Sequence, residues 1–482
     1  MKTVIIIGGG ASGLGAAYSL KLAQDSGAPI DWMLFEKDKR IGGKIWTEKH
    51  DGFIIDGGPD CYLTEKPWMA KMAERLGIKD HLLPSDDDKK KTYIYSRGKL
   101  HELPDGVWMM VPTKFMPFAT TSLFSWPGKI RMGMDLIIPK GNKDDETLAE
   151  FVMRRLGKEC LDKLAEPMVG GVHASDPFQM SLKATFPRFL QMEQKYGSLI
   201  RAFLAARRNA PPAPPKQGTP RRTYFTTFCE GMQEITDAMA DAVGRDKLLT
   251  GVKVTGIDRS ADKPGYIVHT DKGQNHFADA VIVSAESRLA AQFLEGLDKR
   301  LAELLGATSW TSAGTVSLAY SQEKLGIELN GFGFLVPAAE KRRISACTWS
   351  STKWPGRAPN GRALLRVFVG GAHNQELVEQ DDDEMIRMVR AELRELMGIN
   401  TEPEFWRVFR WIKGMPQYTI GHLERLEEID TRLSSHPGLY LCGASYRGVG
   451  TGDVMNSGEL AAEKAIKLLT ESSELARPAA SR

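Results

Sequence analysis

Val4-Ile5-Ile6-Ile7-Gly8-Gly9-Gly10-Ala11-Ser12-Gly13 is the stretch on which the reading of this chain turns. Residues 4–7 are a short β-branched apolar run, the pattern of a strand buried in a parallel sheet. The glycines that follow fit G-x-G-x-x-G, with Gly15 as a further small residue, and a helical segment continues through Ala16, Tyr18 and Leu20. The three glycines serve different physical ends. Gly8 permits the tight turn, Gly10 lets backbone approach a pyrophosphate, and Gly13 lets helix and strand pack closely. The helix N-terminus then presents free N–H groups and a positive dipole to the phosphates. A second strand, Asp31-Trp32-Met33-Leu34-Phe35, ends at Glu36, where a carboxylate accepts both ribose hydroxyls and repels a 2′-phosphate. Alone, the glycine string is equally a turn with no ligand; the strand before it, the helix after it and Glu36 make it one βαβ unit built for a dinucleotide. Ala11, Ser12 and Lys37 join Gly8, Gly10, Gly13 and Glu36 as cofactor-binding candidates.

Across the whole chain, 482 residues are too many for one simple core, so two or three domains are expected. A hydrophobic fraction of 42% and a charged fraction of 26% are those of an ordinary globular protein. A formal net charge of +3 argues against a nucleic-acid binder with a strongly basic face. Cys61, Cys160, Cys229, Cys347 and Cys442 form no CxxC pair and no metal-ligand spacing, which points to a reducing compartment and no metal. The chain opens directly on a strand pattern, without the apolar run and cleavage site of a signal peptide, and has no run of about 18 apolar residues. The expectation is a cytoplasmic protein, or one attached to a membrane only at its surface.

Residues 105–208 read as helical and rich in Met, Phe and Trp, with Trp108, Met109, Met110, Phe115, Phe118, Phe124 and Trp126 interleaved with basic residues in 107–140. Residues 209–220 are Pro-rich and must be a loop or tether. Arg201, Arg207, Arg208, Lys216, Arg221 and Arg222 cluster around it, with no acidic residue between Glu193 and Glu230. Strands are predicted at 252–257, 265–269, 280–283, 314–319, 333–336, 344–349 and 363–369, and a helix at 383–396, whose N-terminus the acidic run from Asp381 to Glu384 suits. Residues 438–443 read as a last strand, with a helix over 457–469 behind it.

Arg40-Ile41-Gly42-Gly43-Lys44 with Thr47, then Asp56-Gly57-Gly58-Pro59, resemble the second fingerprint of the FAD-dependent amine-oxidase superfamily. Gly443-Ala444-Ser445-Tyr446-Arg447-Gly448-Val449-Gly450, with Val454 beyond, resembles its C-terminal flavin motif, and Val254 matches the position whose backbone meets the adenine. The resemblance implies FAD as the cofactor, with a helix N-terminus facing the flavin where negative charge grows on reduction. One departure is Ala444, where the superfamily carries Asp or Asn, so a contact is missing or supplied from elsewhere.

Further strings narrow the resemblance to the porphyrinogen oxidases, both protoporphyrinogen oxidase and the bacterial oxygen-dependent coproporphyrinogen III oxidase. They are Gly57-Gly-Pro-Asp-Cys-Tyr-Leu63, Gly98-Lys-Leu-His-Glu-Leu-Pro-Asp-Gly106, Pro167-Met-Val-Gly-Gly-Val-His-Ala-Ser-Asp-Pro177, Ile344-Ser-Ala-Cys-Thr-Trp-Ser-Ser-Thr-Lys-Trp-Pro355 and Tyr446-Arg-Gly-Val-Gly450. The resemblance implies an α/β protein with a Rossmann-type FAD-binding domain (1–75, 223–290 and 420–482), a mixed-sheet substrate domain (76–106 and 291–419) and a helical insertion (107–208), with 209–222 a loop. It implies a substrate cavity lined by Gly171, Leu335 and Trp349, with Trp354 a further and weaker wall candidate; the alternative for each tryptophan is an ordinary core residue. His173 reads as a packing or pocket-wall residue. No catalytic nucleophile or base stands out, and hydride transfer needs none.

Where plant and animal members carry an arginine for a substrate propionate, this chain has Thr92 after Lys89-Lys90-Lys91. Lysines there suit the four propionates of coproporphyrinogen III, or simply balance Asp86 to Asp88; the reading leans toward coproporphyrinogen III over protoporphyrinogen IX. The partners to expect are a porphyrinogen and O2, with contact to an anionic membrane through 107–140 and a second copy of the chain left open. The competing readings are an amine oxidase or carotenoid-type desaturase, and a flavin-binding protein without catalysis.

Overall fold

A computed structural model describes residues 1–108, 110–208 and 223–475. Met109 and the Pro-rich segment 209–222 lie outside the described residues. The opening strand, Lys2–Ile7, pairs in parallel with Ile30–Glu36 on one side and Ala280–Val283 on the other. Leu248–Thr250 and Leu439–Leu441 complete a five-stranded parallel sheet. Residues Val4 to Ile7 and Ala280–Val283 are buried on both faces, which is why these strands are unbroken β-branched runs rather than alternating ones. The helices Ala11–Asp25 and Thr451–Leu475 cover one face. A three-stranded antiparallel meander, Val254–Arg259, Tyr266–Thr270 and Asn275–Ala278, packs against the other.

A second, seven-stranded sheet runs in the order Phe405–Pro416, Trp310–Ser321, Arg362–Gly370, Ile344–Trp349, Gly333–Leu335, Thr92–Ser96, Lys99–Glu102. Its pairs are antiparallel except Gly333–Leu335 with Thr92–Ser96, so the sheet is mixed. One face carries Val316, Leu318, Val367, Phe334, Cys347 and Trp349 and is covered by the helix Asp382–Met397. That helix opens as expected from the acidic run: the Asp381 side chain caps it by accepting from the Glu384 N–H at 2.8 Å. The other face carries Thr92, Ile94, Leu335, Phe368 and Arg366 and looks toward the helices and the glycine loops.

The helical region contains Leu148–Arg155, opened by a Thr147–Glu150 capping box, then Glu166–His173, Pro187–Tyr196 and Leu199–Arg208. Fully buried Arg155 ties it together through Asp135 at 2.6 Å and Glu193 at 3.2 Å. No helix among the described residues is long and apolar enough to cross a membrane.

Candidate active site

The glycines of the first turn differ sharply in what surrounds them. A Cβ on Gly13 would lie 1.8 Å from the Gly8 carbonyl oxygen, and one on Gly8, whose φ is +105°, would lie 2.9 Å from the Ser284 oxygen. These two exist for close packing. At Gly10 the nearest atom to a Cβ would be the Gly43 Cα at 4.0 Å, so the missing side chain leaves a hollow at the start of the helix Ala11–Asp25. The Arg40–Lys44 loop borders that hollow: the Gly42 N–H donates to the Gly9 carbonyl at 2.8 Å, and Gly10 and Gly42 form a parallel bridge. The Arg40 guanidinium ties the loop by donating to the carbonyls of Ile41 at 2.9 Å and Ile45 at 2.8 Å.

Glu36 is buried at the end of its strand, and its two carboxylate oxygens accept the Gly9 N–H at 2.7 Å and the Asp38 N–H at 2.8 Å. Each oxygen keeps a second lone pair, which leaves the bidentate acceptance of ribose hydroxyls open. Lys37 turns to solvent and pairs with Asp38 at 3.1 Å. Val254 is buried at the head of its strand, in the core cluster beneath the sheet.

The C-terminal turn comes to the same place. Gly443, with φ +116°, would put a Cβ 3.3 Å from Ser12 Oγ, and that hydroxyl is 2.7 Å from Ser284 Oγ. The Gly443 N–H donates to Ser457 Oγ at 2.9 Å. A Cβ on Gly458 would be 1.8 Å from the Ser12 oxygen, and one on Gly15 2.5 Å from the Met455 oxygen, so the first and last helices cross on bare backbone. Gly450 and Val454 lie at the head of the last helix, where the Val454 N–H donates to the Gly450 carbonyl at 2.9 Å. The chain thus brings Gly8–Gly13, Gly42–Gly43 and Gly443–Gly450 around one cleft. The hollow at Gly10 fits a dinucleotide, as do the Thr451 hydroxyl and the Tyr446 phenol, both buried without a hydrogen-bond partner. Tyr446 otherwise packs in the core against Leu426 and Ile429.

Gly57 and Gly58 are compelled by packing. Their Cβ atoms would meet the Phe409 ring at 2.4 Å and the Lys44 carbonyl at 1.8 Å. The Gly57 carbonyl accepts from Thr315 Oγ1 and Trp411 Nε1, each at 3.0 Å, and the Gly58 carbonyl accepts from Arg366. Lys44 reaches away to Glu286 at 2.8 Å and over the Trp310 ring at 5.2 Å. Beyond Pro59, the Asp60 carboxylate is enclosed by Lys353 at 3.2 Å, Trp354 Nε1 at 3.2 Å and Arg366 at 3.4 Å. Burial by itself would raise the Asp60 carboxyl, but Lys353 and Arg366 outweigh it and hold it well below the usual carboxylate range. Cys61 beside it is pushed up to about 12, chiefly by burial, and stays a thiol. Sequence reasoning missed this cluster; its one local signal is Arg366 in the midst of the apolar run from Ala363 to Val369.

On the substrate side, a Cβ on Gly171 would be 3.2 Å from Leu335 Cδ2, so these two candidates share one wall. Phe368, stacked on the Arg366 guanidinium at 4.9 Å, extends it and was not anticipated. His173 packs edge-on against Phe186 at 5.4 Å, and burial lowers its imidazole to about 4.

Three candidates are corrected. Trp349 lies on the opposite face of the sheet from Leu335, in the core under the helix Asp382–Met397, 5.6 Å from Tyr93. Trp354 is buried and spends its indole N–H on Asp60. Lys91 is exposed and paired with Glu102 at 3.0 Å on the Tyr93 side, whereas its neighbour Thr92 faces the Leu335 side.

Residues 11–466 match the family described as flavin containing amine oxidoreductase. The chain is 38% identical to the coproporphyrinogen III oxidase of Bacillus subtilis (strain 168) over 97% of its own length and 98% of that protein. It is 27% identical to protoporphyrinogen oxidase 2 of Arabidopsis thaliana over 99% of this chain and 96% of that one. A solved structure from Exiguobacterium sp. 255-15, itself only provisionally described as a protoporphyrinogen oxidase, superposes with a TM-score of 0.84 at 30% identity over 99% of both chains. FAD is the cofactor of this family, and the three glycine segments described above are the candidate site for it. The chain belongs to the flavin containing amine oxidoreductase family and, within it, to the porphyrinogen oxidases.

Proposed function

We propose that the chain oxidises coproporphyrinogen III to the porphyrin, in preference to protoporphyrinogen IX. The observation that carries this is the 38% identity to the Bacillus subtilis coproporphyrinogen III oxidase over 97% of this chain, against 27% to the Arabidopsis protoporphyrinogen oxidase 2. The pairing with Glu102 takes Lys91 out of the lysine argument, and the preference rests on relatedness. FAD held by the glycine turns at Gly10, Gly42–Gly43 and Gly443–Gly450 would supply a two-electron hydride acceptor that O2 reoxidises with release of H2O2. A porphyrinogen gives up six electrons and six protons, so three rounds complete it. Aromatisation drives the reaction, and the protein's part is to orient the macrocycle and exclude water. The wall of Gly171, Leu335 and Phe368 suits a flat apolar ring, and no catalytic acid–base pair is needed. Side-by-side kcat/KM values for the two porphyrinogens, with porphyrin fluorescence and H2O2 as readouts, test the reading. A preference for protoporphyrinogen IX overturns the substrate, and oxidation of simple amines in place of both overturns the class.

The same enzyme rests on an anionic membrane surface through its helical insertion. Trp126, Ile130, Met134 and Ile137 fall at helical spacing along one exposed row, with Ile137 75% exposed, and Phe115 and Met116 are exposed beside it. Lys129 covers the Trp126 ring at 4.7 Å, the apolar-plus-basic pairing of an interfacial helix. Co-sedimentation with phosphatidylglycerol vesicles at low salt, lost in Trp126→Ser/Ile130→Ser, is the expected result; no binding at low salt removes the membrane from the account.

A further inference from the structure

Tyr418 belongs to none of the glycine motifs, yet it holds the C-terminal turn at two points. Its hydroxyl donates to the Ala444 carbonyl at 2.7 Å and accepts the Gly448 N–H at 2.9 Å. Ala444 brings only a methyl group to this turn, so the backbone there has no hydrogen bond from its own side chain. Behind Tyr418, the His422 imidazole stacks on the phenol with ring centres 4.0 Å apart and planes at 14°. His422 donates its Nε2–H to the Tyr446 carbonyl at 2.8 Å, and its Nδ1 accepts from Arg425 at 3.4 Å. Acceptance at Nδ1 requires the neutral ring, and burial lowers the imidazole to about 4, so it is neutral at physiological pH.

One stacked pair thus fixes three backbone groups of the turn: the carbonyls of Ala444 and Tyr446 and the N–H of Gly448. The pair comes from outside the turn, from the segment that follows the edge strand Phe405–Pro416 and opens the helix His422–Ser434. Tyr418 also lines, with Trp310, Gln417 and Asp176, a cavity of about 150 Å³ against the helical region. Its two sides therefore look onto different halves of the molecule.

We propose that Tyr418, seated on His422, is a positioning residue for the flavin, bracing from the substrate half a turn to which Ala444 brings no side-chain hydrogen bond. The proposal rests on residues 443–450 forming the flavin turn, and not on which molecule the enzyme oxidises. Tyr418→Phe keeps the stacked ring and removes both hydrogen bonds. FAD released from the diluted holoenzyme, followed by flavin fluorescence, then reports a dissociation constant raised about tenfold, because a buried carbonyl and N–H are left unpaired. Amide exchange at 444–448 accelerates, and the vibronic structure of the bound-flavin absorption band blurs. Thr419→Val, on the same cavity wall but without contact to the turn, keeps wild-type FAD affinity. Unchanged affinity and exchange in Tyr418→Phe overturn the proposal, and so does an equal loss in Thr419→Val, which would mark general loosening of the wall. Because no readout uses a porphyrinogen, a wrong substrate leaves this result intact.

Discussion

The cofactor half and the substrate half bring backbone segments into close approach by opposite means. Around the cleft the device is the absent side chain: Gly8, Gly13, Gly15 and Gly458 let strand, turn and two helices touch at backbone distance. Where the seven-stranded sheet meets the loop after Gly58, the device is buried charge. Asp60 is clasped by Lys353 and Arg366, and Asp56 pairs with Arg357 at 3.2 Å. A glycine contact depends on one residue and its φ. An ion cluster depends on partners 293 and 306 positions away for Lys353 and Arg366 relative to Asp60, so local sequence announces no more than an arginine inside an apolar run.

The largest effect should come from the glycines themselves. Gly13→Val drives a side chain into the Gly8 carbonyl, and we expect more than about 4 kcal/mol of destabilisation, read as loss of soluble protein. A Cβ at Gly10 would touch only the Gly43 Cα, at 4.0 Å, so thermal melting of flavin-free Gly10→Val stays near wild type while bound flavin is lost. A full flavin complement in Gly10→Val would place the pyrophosphate elsewhere.

The charge cluster follows in size. Asp60→Ala leaves Lys353 and Arg366 buried without their carboxylate and should cost about 3–5 kcal/mol in denaturant unfolding. Asp60→Ala/Lys353→Met should recover part of that loss; no recovery would mean that the cluster does not act through charge balance.

Acid probes the contrast from another side, because His173 and His422 lie apart from the charge cluster. Burial lowers both to about 4, whereas an unfolded histidine titrates near 6.5. The unfolded chain therefore takes up these protons first as pH falls. Their contribution is full above about 6.5 and is lost on descent toward 4, at most about 3 kcal/mol for each ring. Melting temperatures between pH 7 and pH 4 should fall along this window, less steeply in His173→Phe. The smallest effect is expected at Lys91→Met, which breaks only an exposed pair with Glu102, within about 0.5 kcal/mol and without change in kcat/KM.

Trp349 shows why part of the site escaped the sequence. The strand Ile344–Trp349 shifts register between Ile344 and Ala346 against its neighbour. Simple alternation from Ile344 assigns Trp349 to the opposite face, but the irregularity puts Ile344, Cys347 and Trp349 in one core. A shift of one residue exchanges wall for core, and residue type carries no trace of it. The edge strand Phe405–Pro416 was equally hidden, since aromatic and basic residues interrupt its alternation and its partner Trp310–Ser321 lies far away in the chain.

The cofactor was therefore legible without any coordinates: strand, glycine turn, helix and Glu36 are written in consecutive residues, because backbone dihedrals and the absence of a Cβ are local properties. The porphyrinogen-oxidase strings were legible in the same way, as residues in order. Which side chains share the Gly171–Leu335 face came only from the packed fold. Packing put Trp349 in the core and Phe368 on that face, returned Lys91 to Glu102, and brought Tyr418 against Ala444 and Gly448. Those outcomes depend on sheet register and on contacts across long sequence separations, where many pairings are chemically acceptable and three-dimensional packing selects one.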